Sequence, residues 1–143
     1  MSEAASAPQL RLAVIPVTPL EQNCAILFDD ASKVGVVTDP GGDVPRILEA
    51  LKSLGVTVEK ILITHGHFDH AGGAQPLKEA LERQYGRPVP IEGPHRDDQF
   101  LLERIPESAA RWGIEGLAAC ASDRFLEDGD EVRFGSVVAK AIH

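Results

Sequence analysis

The junction at residue 63 constrains this chain more than any other feature. Val56 to Ile63 reads as a β-strand, and its Ile61-Leu62-Ile63 run is apolar at every position, as in a strand covered on both faces. It passes without a linker into Thr64-His65-Gly66-His67-Phe68-Asp69-His70-Ala71-Gly72-Gly73, where three of the five histidines and one carboxylate fall within six residues. A doubly covered strand requires a layered fold.

The flanking pattern supplies the layers. Leu10 to Val17, Asn23 to Phe28 and Val34 to Thr38 read as consecutive strands, the last closing on the turn Asp39-Pro40-Gly41-Gly42. Asp43 is placed to N-cap a helix in which Val44, Ile47, Leu48, Leu51 and Leu54 recur at helical spacing until Gly55. After the histidine-rich segment, Ala74 to Tyr85 predicts a helix ended by Gly86, Pro88 to Ile91 a short strand, and Pro94 to Ile105 a further helix. Ser108 to Ala121 reads as helix and loop, and Glu131 to Phe134 with Val137 to Ile142 flank Gly135-Ser136 as a hairpin. The fold class expected is α/β, an α+β layered domain. No glycine-rich phosphate loop follows a strand, which sets aside doubly wound nucleotide folds.

A length of 143 residues suits one domain able to bury a core. Residues 1–8 read as a flexible N-terminus. No run approaches the ~20 apolar residues of a membrane span, and the start lacks a signal-peptide pattern, so the expected location is cytoplasmic, with no membrane partner. The formal charge of −8, without a basic stripe, disfavours nucleic acid. Cys24 and Cys120 lie far apart without CxxC spacing and are expected as reduced thiols. Tyr85, Trp112 and the five phenylalanines are too scattered for a stacking platform and are expected in the core.

Imidazole and carboxylate are the ligands that zinc prefers, and they also suit iron and manganese. His65 and His67 are two apart, so in an extended stretch both point the same way and can hold one ion. Asp69 and His70 are adjacent and face a second ion only if the backbone bends, which Gly66, Gly72 and Gly73 permit. Packing four such groups together without a cation costs desolvation and, on protonation, repulsion. Asp39 ends the strand before the Pro40 turn, where it can either cap its own backbone or orient a ligand of the nearby loop. His95 has no partner at ligand spacing.

Thr64 to Gly73 matches the T-H-x-H-x-D-H motif, and the chain resembles the metallo-β-lactamase superfamily, in particular its glyoxalase II-like (hydroxyacylglutathione hydrolase-like) members. Gln22-Asn23-Cys24, Asp39 to Gly42 and the final hairpin stand in the order of that group. The resemblance implies an αβ/βα sandwich, with His65 and His67 on a first metal, Asp69 and His70 on a second, and Asp39 supporting the loop. Zn2+, up to two ions, is the implied cofactor, with Fe or Mn as alternatives. Members continue after such a hairpin to a P-G-H-T-x-G-H segment, a bridging aspartate and a last histidine, and this chain stops at His143. The expectation is therefore the N-terminal part of a sandwich, incomplete at the C-terminus. It would carry an uncovered apolar sheet face and a site completed by the missing part or by a second subunit, as in a homo-oligomer. A genuinely short paralogue is the other reading.

The function implied is hydrolysis of small-molecule thioesters or related esters by a metal-bound hydroxide, with Asp69 as the catalytic residue and S-D-lactoylglutathione as the first substrate suggested. Two alternatives stand beside it: a mono-iron persulfide dioxygenase-like oxidoreductase, and a non-catalytic metal-binding module.

Overall fold

A computed structural model describes residues 9–141, so the expected flexible start at residues 1–8 lies outside the described residues. Three strands come first: β1 (Leu10–Val17), β2 (Gln22–Asp29) and β3 (Val34–Thr38). Helix α1 (Val44–Leu54) leads into β4 (Thr57–Leu62), then the single turn α2 (Phe68–Ala71), α3 (Ala74–Tyr85) and β5 (Ile91–Glu92). A 3-10 turn (Arg96–Asp98), α4 (Gln99–Glu103), α5 (Ile105–Ala110), β6 (Glu131–Phe134) and β7 (Val137–Lys140) follow. The first five strands form one sheet in the order β1-β2-β3-β4-β5, and β6-β7 form a separate hairpin. β1 to β3 pair antiparallel, whereas β3-β4 and β4-β5 pair parallel across the helical connections.

One sheet face is covered by α1 and α3. Ile47, Leu51, Leu77 and Leu81 meet Ile26, Val37, Ile61 and Ile63 in the main core, and most of these are wholly buried. On the opposite face Phe134 and Val137 of the hairpin pack on Val36, with Leu27 and Leu62 at the margin. This explains the unbroken Ile61-Leu62-Ile63 run: alternate side chains enter two different cores. Cross-strand register puts Leu12, Leu27 and Val36 on this same face. The hairpin does not cover it all: Leu10, Leu12 and Val14 of the edge strand are 53%, 63% and 52% exposed. Cys24 and Cys120 are unpaired and buried.

Local chemistry accounts for the boundaries. α1 and α3 end where Gly55 and Gly86 take left-handed φ of 71° and 69°. Asp43 takes the N-cap position of α1 as expected, but its side chain makes no cap bond. It sits at φ 51°, and its carboxylate instead accepts the Thr18 N–H at 2.7 Å, tying the β1–β2 turn to the start of α1. The strand expected over Pro88 to Ile91 narrows to β5. Prolines 88 and 90 have no N–H, while the Val89 and Ile91 N–H groups go to the carboxylates of Glu82 and Asp123 instead of a ladder. The single helix expected over Pro94 to Ile105 is in fact three short pieces. Pro106 cannot donate to Leu102, whose carbonyl accepts the Cys120 N–H at 3.4 Å, and the helix restarts as α5. Past α5, the small-residue segment reaching Ala121 has no regular structure. The hairpin has its expected two-residue connection, with Gly135 at φ 54°; Ile142 lies outside the described residues.

The Asp39 to Gly42 turn is pressed onto the ligand-rich segment. A Cβ on Gly41 would collide with the Asp69 carbonyl, and the Gly73 N–H donates to the Pro40 carbonyl at 2.8 Å. Gly41→Ala is expected to destabilise the fold by about 2 kcal/mol or more, since backbone must yield to backbone. A thermal melt within error of the parent would overturn that close approach.

Candidate metal centre

The strand β4 ends at Leu62, and Thr64 to His67 bend out of the sheet before α2 begins. His67 stands at the N-cap position of α2, its carbonyl accepting the His70 and Ala71 N–H groups at 3.0 and 3.1 Å. This bend, and the helical turn after it, are what bring the four candidate ligands together. The His65 and His67 rings lie with centroids 5.0 Å apart, and His65 and His70 with centroids 3.8 Å apart. Asp69 Oδ2 is 3.8 Å from His70 Nε2.

Asp39 organises them from beneath. Its left-handed φ of 54° turns the chain at the end of β3, and its own N–H donates to the Leu62 carbonyl at 2.8 Å. The side chain, 6% exposed, accepts the Thr64 N–H on Oδ1 at 2.8 Å and the Thr64 hydroxyl on Oδ2 at 2.6 Å. It also faces His70 Nδ1 at 3.1 Å. The Asp39 side chain is thus bonded to the loop, at Thr64 and His70.

Proton counting assigns the tautomers. The Thr64 hydroxyl has one hydrogen and gives it to Asp39, so the His65 Nδ1 at 2.9 Å from that oxygen must carry the proton. His70 Nδ1 lies between the Asp39 carboxylate, which only accepts, and the Gln22 amide nitrogen at 3.3 Å, which only donates. It cannot satisfy both, and the stronger, charge-assisted bond is the one to Asp39. Both rings thus hold their proton on Nδ1 and present a free Nε2 lone pair.

The electrostatics separate the two histidines. Burial lowers the pKa of His65, and the neighbouring His70 and His67 lower it further against the charges of Asp39 and Asp69. Burial acts the same way on His70, but the hydrogen bond and charge of Asp39 and the charge of Asp69 outweigh it, so its pKa rises.

The structure brings His65, His67, Asp69 and His70 to one place with Asp39 under them. The His95 ring accepts the Asp97 N–H at 3.2 Å and lines, with Thr64, a cavity of about 230 Å³. Sequence reasoning missed Thr64 and Gln22 as working parts. The hydroxyl directly before the first histidine was a usable signal for Thr64, whereas Gln22 stood in a segment noted for the resemblance without any sign that it would reach His70. The donor set, neutral imidazole nitrogens beside a carboxylate, fits a borderline divalent ion. Its number falls short, for among the described residues no three His, Cys, Asp or Glu side chains converge to hold one. Nor, among the described residues, is any helix long and apolar enough to cross a membrane.

In the metal-free protein, NMR titration is expected to show His70 taking up its proton at higher pH than His65. The sign follows from the raised value: the His70–Asp39 pair contributes its full stability below the unfolded imidazole pKa, and that contribution fades as pH rises through the value of His70 in the fold. Asp39→Asn should bring the two titrations together and lower metal affinity by about 10- to 100-fold in chelator competition. Unchanged titrations in that variant would exclude Asp39 as the orienting group.

Comparison with known proteins places this geometry. Residues 17–143 match the model of the metallo-beta-lactamase superfamily. A hydroxyacylglutathione hydrolase, GloC of Haemophilus influenzae, is 35% identical over 123 residues, which is 86% of this chain and 55% of that protein. Among solved structures, the BLEG-1 B3 metallo-beta-lactamase superposes with a TM-score of 0.71 at 28% identity, over 90% of this chain and 58% of that one. TTHA1623, solved in a di-iron-bound form, gives 0.71 at 29% identity, over 84% and 56%. The chain spans about half the length of the curated relatives it matches. Sheet order, ligand-rich turn and sequence agree with one another, and the chain belongs to the metallo-beta-lactamase superfamily, whose fold implies bound metal ions.

Proposed function

We propose that this chain supplies the metal-binding half of a hydrolase acting on small-molecule thioesters or related esters, of the hydroxyacylglutathione hydrolase-like kind. The observation that carries the reading is the shared hold of Asp39 on His70 and, through Thr64, on His65, which engages both rings at Nδ1 and leaves both Nε2 atoms free as metal donors. The match to a named hydroxyacylglutathione hydrolase supports the substrate class.

In this reading His65 and His67 hold one ion, and Asp69 and His70 a second. A bound divalent ion supplies Lewis acidity toward a carbonyl oxygen and acidifies water near neutral pH. Asp69 would serve as a metal donor and would also be placed to orient water. Thr64 and Asp39 keep the imidazoles in the ligating tautomer, and α2 sets the separation between Asp69 and His70. Zinc is the metal we assign first, with iron or manganese suited to the same donors; a relative solved in a di-iron-bound form keeps iron in view. The remaining donors come from polypeptide outside residues 9–141 or from a second subunit. We place the protein in the cytoplasm, and the charge of −8 argues against a nucleic-acid substrate.

The test is Asp69→Ala in the full-length protein. Thioester cleavage is expected to fall by about a thousandfold or more, with the melting temperature little changed. Unchanged turnover would remove the role given to Asp69. Chelation should abolish activity, and zinc should restore it. Recovery with iron alone, accompanied by oxygen consumption on a persulfide, would instead establish the oxidoreductase.

A further inference from the structure

We infer that Asp98 is a positioning residue for the His65–His67 pair: its carboxylate holds the backbone between the two histidines, so that both imidazoles can serve one divalent ion. The inference deepens the proposed function at its metal site and rests on that pair sharing an ion.

Asp98 stands at the N-cap position of α4, where an aspartate ordinarily accepts an amide of the first helical turn, yet its side chain makes no cap bond. Its Oδ2 instead accepts the Gly66 N–H at 3.0 Å, from 32 residues earlier in the chain. A helix cap is given up for a bond to the ligand loop. The approach is close as well as polar. Gly66 takes no positive φ, so room, and not a left-handed turn, is what requires glycine there. A Cβ on Gly66 would stand 2.9 Å from the Asp98 carbonyl oxygen and 3.0 Å from Leu101 Cβ, which puts the start of α4 directly on this residue.

The segment that carries Asp98 is anchored on both sides. Before it, the Gly93 N–H donates to the Arg124 carbonyl at 2.7 Å and the Leu126 N–H to the Pro94 carbonyl at 3.0 Å. The Asp98 N–H then closes the 3-10 turn onto the His95 carbonyl at 2.9 Å, and after it Leu102 is buried in the main core. The carboxylate therefore acts from a fixed backbone.

What it holds is the chain between two candidate ligands. The Gly66 N–H belongs to the planar His65–Gly66 peptide, so fixing it fixes the Cα of His65, and the close contact at Gly66 sets where His67 begins. This matters most for His67. Thr64 engages the ring of His65, whereas among the described residues no hydrogen bond holds the ring of His67, which leaves its placement to the backbone. The two rings stand with centroids 5.0 Å apart, and a pair kept at a set separation loses less freedom on taking an ion. His70 is oriented by Asp39 instead, so Asp98 acts on one pair of ligands and not on the other.

The full-length protein, 15N-labelled at histidine, is titrated with Zn2+ in a chelator buffer, and the ring-nitrogen signals of His65, His67 and His70 are followed separately. In Asp98→Ala, His65 and His67 are expected to respond at about tenfold higher free zinc, and His70 at the parent's concentration. Asp98→Asn loses the charge but keeps an oxygen that can accept the Gly66 N–H, and should stay close to the parent. Asp98→Glu keeps the charge but displaces the oxygen by a methylene, and should behave as Asp98→Ala does. In the metal-free protein, amide exchange at Gly66 should quicken in the Ala and Glu variants alone. Equal weakening at all three histidines, or a loss in Asp98→Asn that Asp98→Glu does not share, overturns the positioning role. An unchanged zinc response in Asp98→Ala and Asp98→Glu overturns it too, and thioester cleavage by the same protein would leave the hydrolase standing. The selective loss in a protein that cleaves no thioester overturns the hydrolase and leaves the role of Asp98. A parent in which zinc moves neither His65 nor His67 overturns the shared ion and this inference with it.

Discussion

The candidate centre hangs on one buried carboxylate. Asp39 follows β3, yet its partners lie just past the end of β4 and in α2, so a single side chain joins three elements. Burying that charge is tolerable because it receives a backbone N–H, a hydroxyl and an imidazole N–H. An amide in its place would have one accepting oxygen instead of two, and its NH2 would face the same donors. The left-handed backbone at Asp39 belongs to the same solution, because it aims the carboxylate across the sheet end.

Much of this was legible in the sequence because it is local. The helical period and terminal glycines marked α1 and α3, Gly135-Ser136 marked the hairpin, and the crowding of histidines marked the centre. What escaped notice depends on groups distant in sequence. The break before α5 needs Pro106 to release the Leu102 carbonyl and Cys120 to claim it; β5 is shortened by carboxylates from α3 and from Asp123. Asp43 looked like a cap but bonds to Thr18, a partner 25 residues away. At the centre, residue types at a fixed spacing announced His65, His67, Asp69 and His70. Gln22 arrives from β2, and its contact with His70 is visible only once the sheet is assembled. Trp112 and Phe100, both expected in the core, are 66% and 58% exposed and were misread for a related reason: nothing in their sequence neighbourhood separates an exposed ring from a buried one.

The sheet is unequally covered, and the inequality follows from register. Leu12, Leu27 and Val36 share a face, but the hairpin reaches only as far as Val36 and the edge of Leu27. The rest of β1 keeps an apolar strip in solvent along a free strand edge, an arrangement that proteins ordinarily cover. The described residues therefore show two shortages, of cover on the hairpin side and of a third converging donor. In the proposed hydrolase, polypeptide packed on that side would meet the first shortage and could carry residues that meet the second.

The ligand segment has little regular structure, yet it is held on three sides. The Asp39 turn presses on it through Gly41 and accepts the Gly73 N–H; Asp98 accepts the Gly66 N–H at 3.0 Å from the α4 side; and Asp39 itself fixes Thr64 and His70. Each contact uses backbone or a saturated hydrogen bond, so none depends on an ion being present. The His65 and His70 rings are held through Nδ1 by folding, which leaves their Nε2 atoms free as donors. That preorganisation reduces the ordering cost of binding, and it explains why the orienting residues Asp39 and Thr64 sit deeper or earlier in the chain than the donors they serve.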